Sequence, residues 1–369
     1  MPRPMTDPDV LTPAEGDLWS AALAEVQPGD VYHLAAYHEL AERTGDGTAR
    51  LIVYRHDGAT VLLPFLLRPA AEVEGLEGEP WSDAGSVYGY AGPLASSADL
   101  PPATIVGFHD AVRGVMRDLR VATIFSSLHP LLEQTPLLTG VGEVVTHGTT
   151  VSIDLTHPED VQVARYRQNH RRDLRRLRAL GANCVVERPA DLDDFLGIYH
   201  ETMSRVGAAP RYFFDQAYFN AMQALLADHI WLARCALEGQ LIAAGLFFSH
   251  GRIVQYHLGA TRDAFLSLGP MKIVVDTVRR WASEAGYGVL HLGGGIGARE
   301  DSLFHFKAGF TERRHPFRTF RWVIDEEAYA HLASRKAAWN ASRGLADAGS
   351  GHFPVYRSPV GPVSTPGTD

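Results

Sequence analysis

Seven arginine residues lie close together on one face of a predicted helix that runs from Val161 to Leu180. At about 100° per residue they cover about half of the helix circumference, and apolar residues hold the remainder. Guanidinium groups at this spacing repel one another, so an anion or a set of carboxylates beside them is favourable. Two interpretations stay open: a face that binds phosphate groups, or a solvated helix whose arginines pair with the protein's own acidic surface. These residues are Arg165, Arg167, Arg171, Arg172, Arg175, Arg176 and Arg178.

The motifs of several common catalytic sites are missing from the sequence. It contains no GxxxxGK[ST] phosphate loop, no GxSxG nucleophile motif and no HExxH zinc motif, and its two cysteines are too few for a zinc cluster. Gly293–Gly295 follow a predicted strand without a helix directly after them, so a dinucleotide site is not expected. Among the histidines, His257 and His291 are candidates because both fall on predicted strands. No metal site is predicted.

Composition bounds the class of protein. With 34 basic and 43 acidic residues the net charge is −9, so no global field attracts nucleic acid and any such binding must be local. A length of 369 residues with 46% hydrophobic content is enough for two domains. Neither a signal-peptide core nor a run of roughly 20 apolar residues is found, so we expect a cytoplasmic protein that does not use a membrane.

The elements that must position the chemistry lie between Ile253 and Phe310. Residues 253–258 alternate as a strand with one apolar face. From Met271 to Ala285 the period becomes helical: an apolar side includes Val274, Val275 and Val278, and a polar side includes Asp276 and Arg279. A second strand, Val289–Leu292, then leads into the glycines. This pattern predicts a helix lying on a sheet.

The same order of elements occurs twice along the chain. A hairpin is predicted at residues 51–67 around Asp57-Gly58, and another at residues 231–248 around Glu238-Gly239. Each is followed by a strand with tyrosine and glycine, a helix and another strand. We therefore predict two similar α/β domains, residues 1–149 and 150–343. The Gly-, Pro- and Ser-rich residues 344–369 are predicted to be a flexible tail.

Several segments resemble the Fem (FemABX-like) family over about residues 51–322. They are SVYGYAGPL (86–94), the arginine helix with the strand after it, residues 199–219, residues 256–287, the glycine run, and FHFKAGF (304–310), whose FK.GF core is the most specific. The resemblance implies two tandem GNAT-like domains, each a mixed, mostly antiparallel sheet flanked by helices. The family's coiled-coil arm has no counterpart here.

The resemblance also implies a reaction. Fem enzymes join an amino acid carried on tRNA to an amine of an acceptor. An ester already has a good leaving group, so positioning and charge stabilisation can carry this reaction without a protein nucleophile or a metal. The expected activity is therefore an aminoacyltransferase with aminoacyl-tRNA as co-substrate and no other cofactor. The acceptor is expected to be a natural-product intermediate, as in antibiotic biosynthesis, or a peptidoglycan precursor; the sequence decides neither this nor the amino acid transferred.

On the donor side the resemblance assigns roles to three residues near FK.GF. Lys307 is expected to stabilise the developing negative charge, and Phe306 to stack on the terminal adenine of the tRNA. Asp301 is expected to take a proton from the attacking amine. Core packing of Phe306 and a surface charge at Lys307 are the structural alternatives. The arginine helix would bind tRNA phosphates, and the residues expected to do so are Arg171, Arg172 and Arg175.

On the acceptor side the candidates are Arg205, Arg211, Tyr256 and Tyr90. The two arginines lie around an R-x-G stretch and could clamp a carboxylate or phosphate bidentately, or form structural salt bridges. Tyr256 is expected to line an acceptor cleft between the domains, and Tyr90 belongs to the SVYGYAGPL segment.

Two other functions compete with this reading. The first is an acyl-CoA-dependent N-acyltransferase, which grips pyrophosphate with backbone amides of a [RQ]xxGx[GA] turn. The corresponding residues here, Arg262–Pro270, hold one glycine and a proline that has no amide to donate. The second is a non-catalytic nucleic-acid-binding protein that uses the arginine helix, which turnover would distinguish from an enzyme.

Overall fold

The computed structural model describes residues 7–347 and 351–362. These divide into two compact units: the first consists of residues 7–28, 41–146, 318–347 and 351–362, and the second of residues 29–40 and 147–317. In the described part of the chain, no helix combines the length and apolar content needed to cross a lipid bilayer.

The strands, numbered along the chain, are β1 (Asp9–Leu11), β2 (Thr48–His56), β3 (Ala59–Pro69), β4 (Ser82–Gly85), β5 (Leu94–Ala95), β6 (Val121–Ser127), β7 (Glu143–Asp154), β8 (Asn183–Glu187), β9 (Ile230–Leu237), β10 (Gln240–His250), β11 (Ile253–Thr261), β12 (Val289–Gly293), β13 (Arg314–Val323), β14 (Leu345–Asp347) and β15 (Val360–Pro362). The α-helices are α1 (Gly16–Ala24), α2 (Ala35–Arg43), α3 (Pro102–Asp118), α4 (Glu159–Ala164), α5 (Gln168–Ala179), α6 (Asp193–Arg205), α7 (Gln216–Leu226), α8 (Met271–Glu284), α9 (Ser302–Lys307) and α10 (Glu326–Ser342).

Both units contain a mixed, mostly antiparallel sheet, as the sequence predicts. In the first unit the strand order is β1-β2-β3-β4-β6-β13, and the parallel pair is β4 with β6, connected through α3. In the second unit the order is β7-β12-β11-β10-β9-β8, and the parallel pair is β11 with β12, connected through α8. The repeated order of hairpin, strand, helix and strand is therefore present in both units.

Helix α8 lies on the sheet of the second unit through its apolar stripe, which includes Val274, Val275 and Val278. Its predicted polar side differs from the expectation: Asp276 and Arg279 are buried rather than solvated. The cause is the arginine-rich segment, which packs over this side. The Tyr166 hydroxyl donates to Asp276 Oδ1 at 3.0 Å, and Arg279 donates to the same oxygen at 3.1 Å.

The course of the C-terminal region also differs from the sequence-based division. Residues 318–343, assigned from sequence to the second domain, belong to the first unit because residues 319–323 of β13 pair with β6 and Leu332 of α10 packs in an apolar cluster there. Part of the expected tail is packed as well: Tyr356 is 1% exposed, and the Arg357 guanidinium bonds the buried carboxylate of Asp83. Residues 348–350 and 363–369 of the expected tail lie outside the described residues.

Candidate functional site

The two parallel strands of the second unit diverge at the site. β11 and β12 pair over Ile253–Gln255 and Val289–His291. Beyond these pairs β11 continues to Thr261 beside β10, while β12 ends at Gly293, whose φ of 75° turns the chain away. Ligands of open α/β sheets bind where neighbouring strands part at their carboxyl ends. This opening is therefore the natural place for a substrate.

The turn after β12 is built from glycines because the backbone approaches β7 too closely for a side chain. A Cβ at Gly148 of β7 would lie 2.0 Å from the carbonyl oxygen of Ala298, and a Cβ at Gly294 would lie 2.8 Å from the carbonyl oxygen of Thr149. Gly297 has a φ of 60°, which favours glycine. The glycine run is thus a tight structural turn that holds its carbonyls in place.

Asp301 begins α9 as its N-cap. Its carboxylate accepts hydrogen bonds from the amides of Ile296 and Phe304, both at 2.9 Å. Partial burial acts to raise the pKa of Asp301, but the hydrogen bonds from the amides of Phe304, Ile296 and Leu303 outweigh it and hold the pKa below its usual range. This arrangement gives Asp301 a structural task, the N-cap of α9, beside the proton-acceptor role predicted for it.

Lys307, at the end of α9, is 7% exposed. Its Nζ donates to the carbonyl oxygen of Gly294 at 2.8 Å and lies 5.2 Å from the ring centroid of Tyr256. Burial lowers the pKa of Lys307 to about 8, against the opposing effect of the Asp301 carboxylate. An ammonium group has three N–H bonds, so Lys307 can donate to a substrate beside the glycine turn.

Two of the phenylalanines around Lys307 are core residues and one is not. Phe304 and Phe310 are buried in the apolar core of the second unit, whereas Phe306 is half-buried. The ring centroids of Phe306 and His170 lie 5.9 Å apart. The Phe306 ring is nearly perpendicular to the Phe310 ring, and their centroids lie 5.5 Å apart. Phe306 is therefore placed at the surface edge of this core, where a base could stack on it.

The arginine segment is two helices rather than one. α4 ends at Ala164, and the chain turns at Arg167, whose amide donates to the carbonyl oxygen of Gly309 at 2.8 Å, before α5 begins. In α5 the His170 imidazole bonds the carbonyl oxygen of Phe306 at 3.0 Å. Burial lowers the pKa of His170. His170 lies on the apolar face of the predicted helix, but no motif in the sequence marks it as a site residue.

All seven arginines of this segment are exposed. Arg172 pairs with Asp173 at 3.0 Å, and Arg178 pairs with the buried Asp276. Among the described residues, five of the seven form no ion pair: Arg165, Arg167, Arg171, Arg175 and Arg176, of which Arg167 donates to the carbonyl oxygen of His305 at 3.3 Å. Of the three predicted to bind tRNA, Arg171 and Arg175 are thus unpaired and Arg172 is paired with its neighbour.

The acceptor candidates lie in different places. Arg205 forms a salt bridge with Asp263 and donates to the carbonyl oxygen of Thr261 at 3.1 Å, at the far end of β11. Tyr256 is half-buried beside Lys307, and burial raises its pKa. Arg211 lies in the short helix Pro210–Tyr212, and its side chain is outside the described part of the chain. Tyr90, in the first unit, lies with its ring centroid 5.9 Å from that of His129.

The two candidate histidines are buried in the sheet of the second unit. His291 Nδ1 lies 2.7 Å from Gln255 Oε1, and Gln255 Nε2 donates to Asp30 Oδ2 at 2.5 Å. Burial lowers the pKa of His257 to about 3. Both histidines are therefore buried within the sheet, as expected of structural residues. Within residues 7–347 and 351–362, His, Cys, Asp and Glu side chains form no group of three or more placed to hold a metal ion.

Comparison with known proteins agrees with this architecture. Residues 164–307 match the family model described as an acetyltransferase (GNAT) domain. No curated protein matches the sequence closely enough to show a relative. The crystal structure of FemX is similar with a TM-score of 0.65 and 16% identity, over 88% of this chain and 99% of that one.

Two further solved structures are similar. L-PGS from Bacillus licheniformis gives a TM-score of 0.53 with 14% identity, covering 88% of this chain and 95% of that one. The C-terminal domain of a protein assigned as a lysylphosphatidylglycerol synthetase of Agrobacterium fabrum gives 0.51 with 16% identity, covering 90% and 97%. At these identities the likeness shows the fold alone. The protein has the GNAT-type fold, and the second unit contains the segment that matches the acetyltransferase domain model.

Proposed function

We propose that the protein is an aminoacyltransferase that forms an amide between an amino acid carried on tRNA and the amine of a small-molecule acceptor. The observation that carries the proposal is Lys307, a buried cation held beside the opening between β11 and β12 by the carbonyl of Gly294. The likeness to FemX, and to a protein named for joining lysine to phosphatidylglycerol, supports transfer of an aminoacyl group on this fold.

The main requirement of this reaction is stabilisation of the negative charge that develops in the transition state. The amine nitrogen attacks the ester carbonyl carbon, a C–N bond forms, and the C–O bond to the ribose breaks. Negative charge develops first on the carbonyl oxygen, where a preorganised ammonium is most effective in a water-poor site. With a pKa of about 8, Lys307 is mostly protonated at pH 7 and can supply that charge. The proton that the amine loses balances the proton that the ribose oxygen gains.

The first turn of α8 favours an ester of tRNA over one of coenzyme A. A pyrophosphate cradle needs free backbone amides at a helix N-terminus. Here the amides of Gly269, Lys272 and Ile273 donate at 3.0–3.1 Å to carbonyl oxygens of Leu266, Gly269 and Pro270 within the same turn, and Pro270 has no amide to donate. The unpaired arginines of α5 instead offer phosphate contacts to a nucleic acid.

Tyr256 and Arg205 are the acceptor candidates of the second unit whose side-chain contacts the structure describes. Tyr256 is the acceptor candidate that contacts Lys307, with the Nζ atom 5.2 Å from its ring centroid. Arg205 is engaged by Asp263 and would have to exchange this partner for a substrate anion. We propose a natural-product intermediate or a peptidoglycan precursor as the acceptor.

The match to an acetyltransferase domain model favours acyl-CoA-dependent N-acyl transfer as the second candidate. One experiment separates the two. Purified protein is incubated with mixed radiolabelled aminoacyl-tRNAs and a panel of primary amines, with and without prior RNase treatment, and in parallel with acyl-CoA. We expect labelled amide that RNase treatment abolishes. Product that survives RNase and demands acyl-CoA would overturn the proposal.

A further inference from the structure

Strand β7, which pairs with β12, presents two chemically different faces. Val151 and Ile153 point into the apolar core beneath α8, together with Leu290 and Leu292 of the neighbouring β12. Successive side chains of a strand point to opposite faces, so Thr150 and Ser152 lie on the other face. This face is polar, although both residues are buried.

The neighbours of Thr150 on this polar face have hydrogen-bond partners. Ser152 Oγ lies 2.7 Å from His315 Nε2. His291, paired with Ser152 across the strands, contacts Gln255 at 2.7 Å. Ser152 and His291 thus each have a side-chain hydrogen-bond partner on this face.

The hydroxyl of Thr150 differs from that of Ser152. It is 2% exposed, and its Oγ1 has no hydrogen-bond partner among the described residues. A buried hydroxyl without a partner is unfavourable, so such a group calls for an explanation. A substrate group that bonds the hydroxyl during turnover supplies one.

Thr150 and Lys307 flank the same glycine. A Cβ at Gly294 would lie 3.7 Å from Thr150 Cγ2, and the carbonyl oxygen of Gly294 accepts a hydrogen bond from Lys307 Nζ. α9, which carries Lys307, packs on the apolar-core face through Phe304 and Ala308. The cation and the hydroxyl therefore approach the glycine turn from opposite faces of the sheet.

We propose that the Thr150 hydroxyl binds the acceptor amine: Oγ1 accepts a hydrogen bond from the amine N–H and turns the nitrogen lone pair toward the ester carbonyl that Lys307 polarises. This inference rests on the proposed function and adds to it the residue that binds the nucleophile. The acceptor reaches the reacting carbon from the face opposite to Lys307. The hydrogen bond leaves the balance of the reaction unchanged, since the amine still loses one proton and the ribose oxygen gains one.

The test compares Thr150→Val, which removes the hydroxyl and keeps the shape, with Thr150→Ser, which keeps the hydroxyl. The probe is whichever primary amine the wild-type protein uses from a panel that runs from glycinamide to lysine-containing peptides. For Thr150→Val we expect the KM for the amine to rise at least tenfold, the KM for aminoacyl-tRNA to stay within twofold, and the melting temperature to be unchanged or higher. For Thr150→Ser we expect an amine KM within threefold of wild type.

Thr311→Val is the matched control. Thr311 is equally buried, but its hydroxyl donates to the carbonyl oxygen of Ser152 at 2.8 Å and accepts from the amide of Arg313 at 3.0 Å. This variant should lose thermal stability without a selective rise in the amine KM. If wild type makes amide and Thr150→Val keeps the wild-type amine KM, the inference is wrong while the proposed function stands. If wild type makes no amide from any donor and amine, the proposed function fails and the inference fails with it.

Discussion

Lys307 is a residue whose burial works against folding. Its pKa of about 8 lies below its ordinary value of 10.5, so the folded protein holds this proton less tightly than the unfolded chain does. Below about pH 8 the ammonium is charged in both states, and the cost of burying it is present in full. As pH rises from about 8 to 10.5 the folded protein alone is neutral at this position, and the cost is relieved. An unfavourable buried charge at a substrate opening is typical of a functional group.

Lys307→Met keeps the chain length and removes the charge. We expect it to lower kcat by about a hundredfold or more, because one lost oxyanion-stabilising donor has that effect. We also expect it to raise the free energy of unfolding at pH 7 by roughly 1 to 3 kcal/mol, because the buried charge is gone. Urea unfolding of both proteins at pH 7 and pH 10.5 should show this gain shrinking at the higher pH. A variant that is both active and no more stable would remove Lys307 from the site.

Asp301 allows a distinction between capping and proton transfer. Asp301→Ala should lower stability by about 1 kcal/mol through loss of the N-cap of α9, and it should reduce activity because α9 carries Lys307. Asp301→Asn keeps an oxygen for the amide of Phe304, so for a cap we expect kcat within about tenfold of wild type. A loss of about a thousandfold in Asp301→Asn, with normal thermal stability, would instead support the proton-acceptor role.

At the scale of elements, helix α5 offers a surface that can be tested by salt. Arg171 and Arg175 are exposed and unpaired among the described residues, so they are free to meet phosphates. The double variant Arg171→Ala with Arg175→Ala should raise the KM for aminoacyl-tRNA. A plot of the logarithm of the aminoacyl-tRNA binding constant against the logarithm of the salt concentration should become shallower by about 2, one for each lost phosphate contact. Arg117→Ala, at an exposed arginine of α3 in the first unit, is the control and should leave the slope unchanged. An unchanged slope in the double variant would contradict a phosphate-binding role.

The elements near α8 show which features of the fold could be predicted from the sequence and which could not. Strand β11 and helix α8 follow from periodicity, because a half-buried strand and a helix on a sheet leave a pattern of period 2 and period 3.6. The burial of Asp276 and Arg279 was not visible, because it depends on Tyr166 and α5 packing over a side of the helix that reads as polar. The break at Arg167 was also hidden: the contact that fixes it, with the carbonyl of Gly309, joins residues far apart in sequence.

The candidate site also contains residues that the sequence indicated and contacts that it did not. The FK.GF segment drew attention to Lys307 and Phe306; the structure shows Lys307 bonded to the carbonyl of Gly294, and Phe306 at the edge of the core beside His170. The partners of Lys307 are a backbone carbonyl and the face of a tyrosine ring, and no residue spacing encodes either. Thr150 has no sequence signal of its own, since only its burial and its missing partner set it apart.

At the scale of the whole chain, the C-terminal region completes the first unit. The carboxylate of Asp83 is fully buried and bonded by Arg68 and Arg357, and Arg357 also donates to the carbonyl oxygen of Pro69 at 2.9 Å. Removal of one partner leaves a buried charge that is only partly compensated. The composition of this region, rich in Gly and Pro, gave no indication of these contacts.

Arg357→Ala should therefore lower the free energy of unfolding by roughly 2 to 4 kcal/mol. A chain that ends at Asp347 should lose at least as much, because burial of Tyr356 is lost as well. Hydrogen exchange should locate the added opening in the first unit, around β3 and β4, with β9 and β10 protected as before. Arg117→Ala, which touches no buried carboxylate, serves as the control. Equal stability of the shortened chain and the full chain would contradict this role.

The backbone hydrogen bonds within the first turn of α8 bear on competition from the many thioesters of a cell. A protein with the GNAT-type fold would ordinarily be exposed to competition from every such metabolite. Because the amides of Gly269, Lys272 and Ile273 are bonded within the turn and Pro270 has none, the turn offers coenzyme A and its esters fewer free amides than a pyrophosphate cradle needs. For the proposed aminoacyltransferase, the rate of amide formation would then follow the supply of aminoacyl-tRNA rather than that of acyl-coenzyme A.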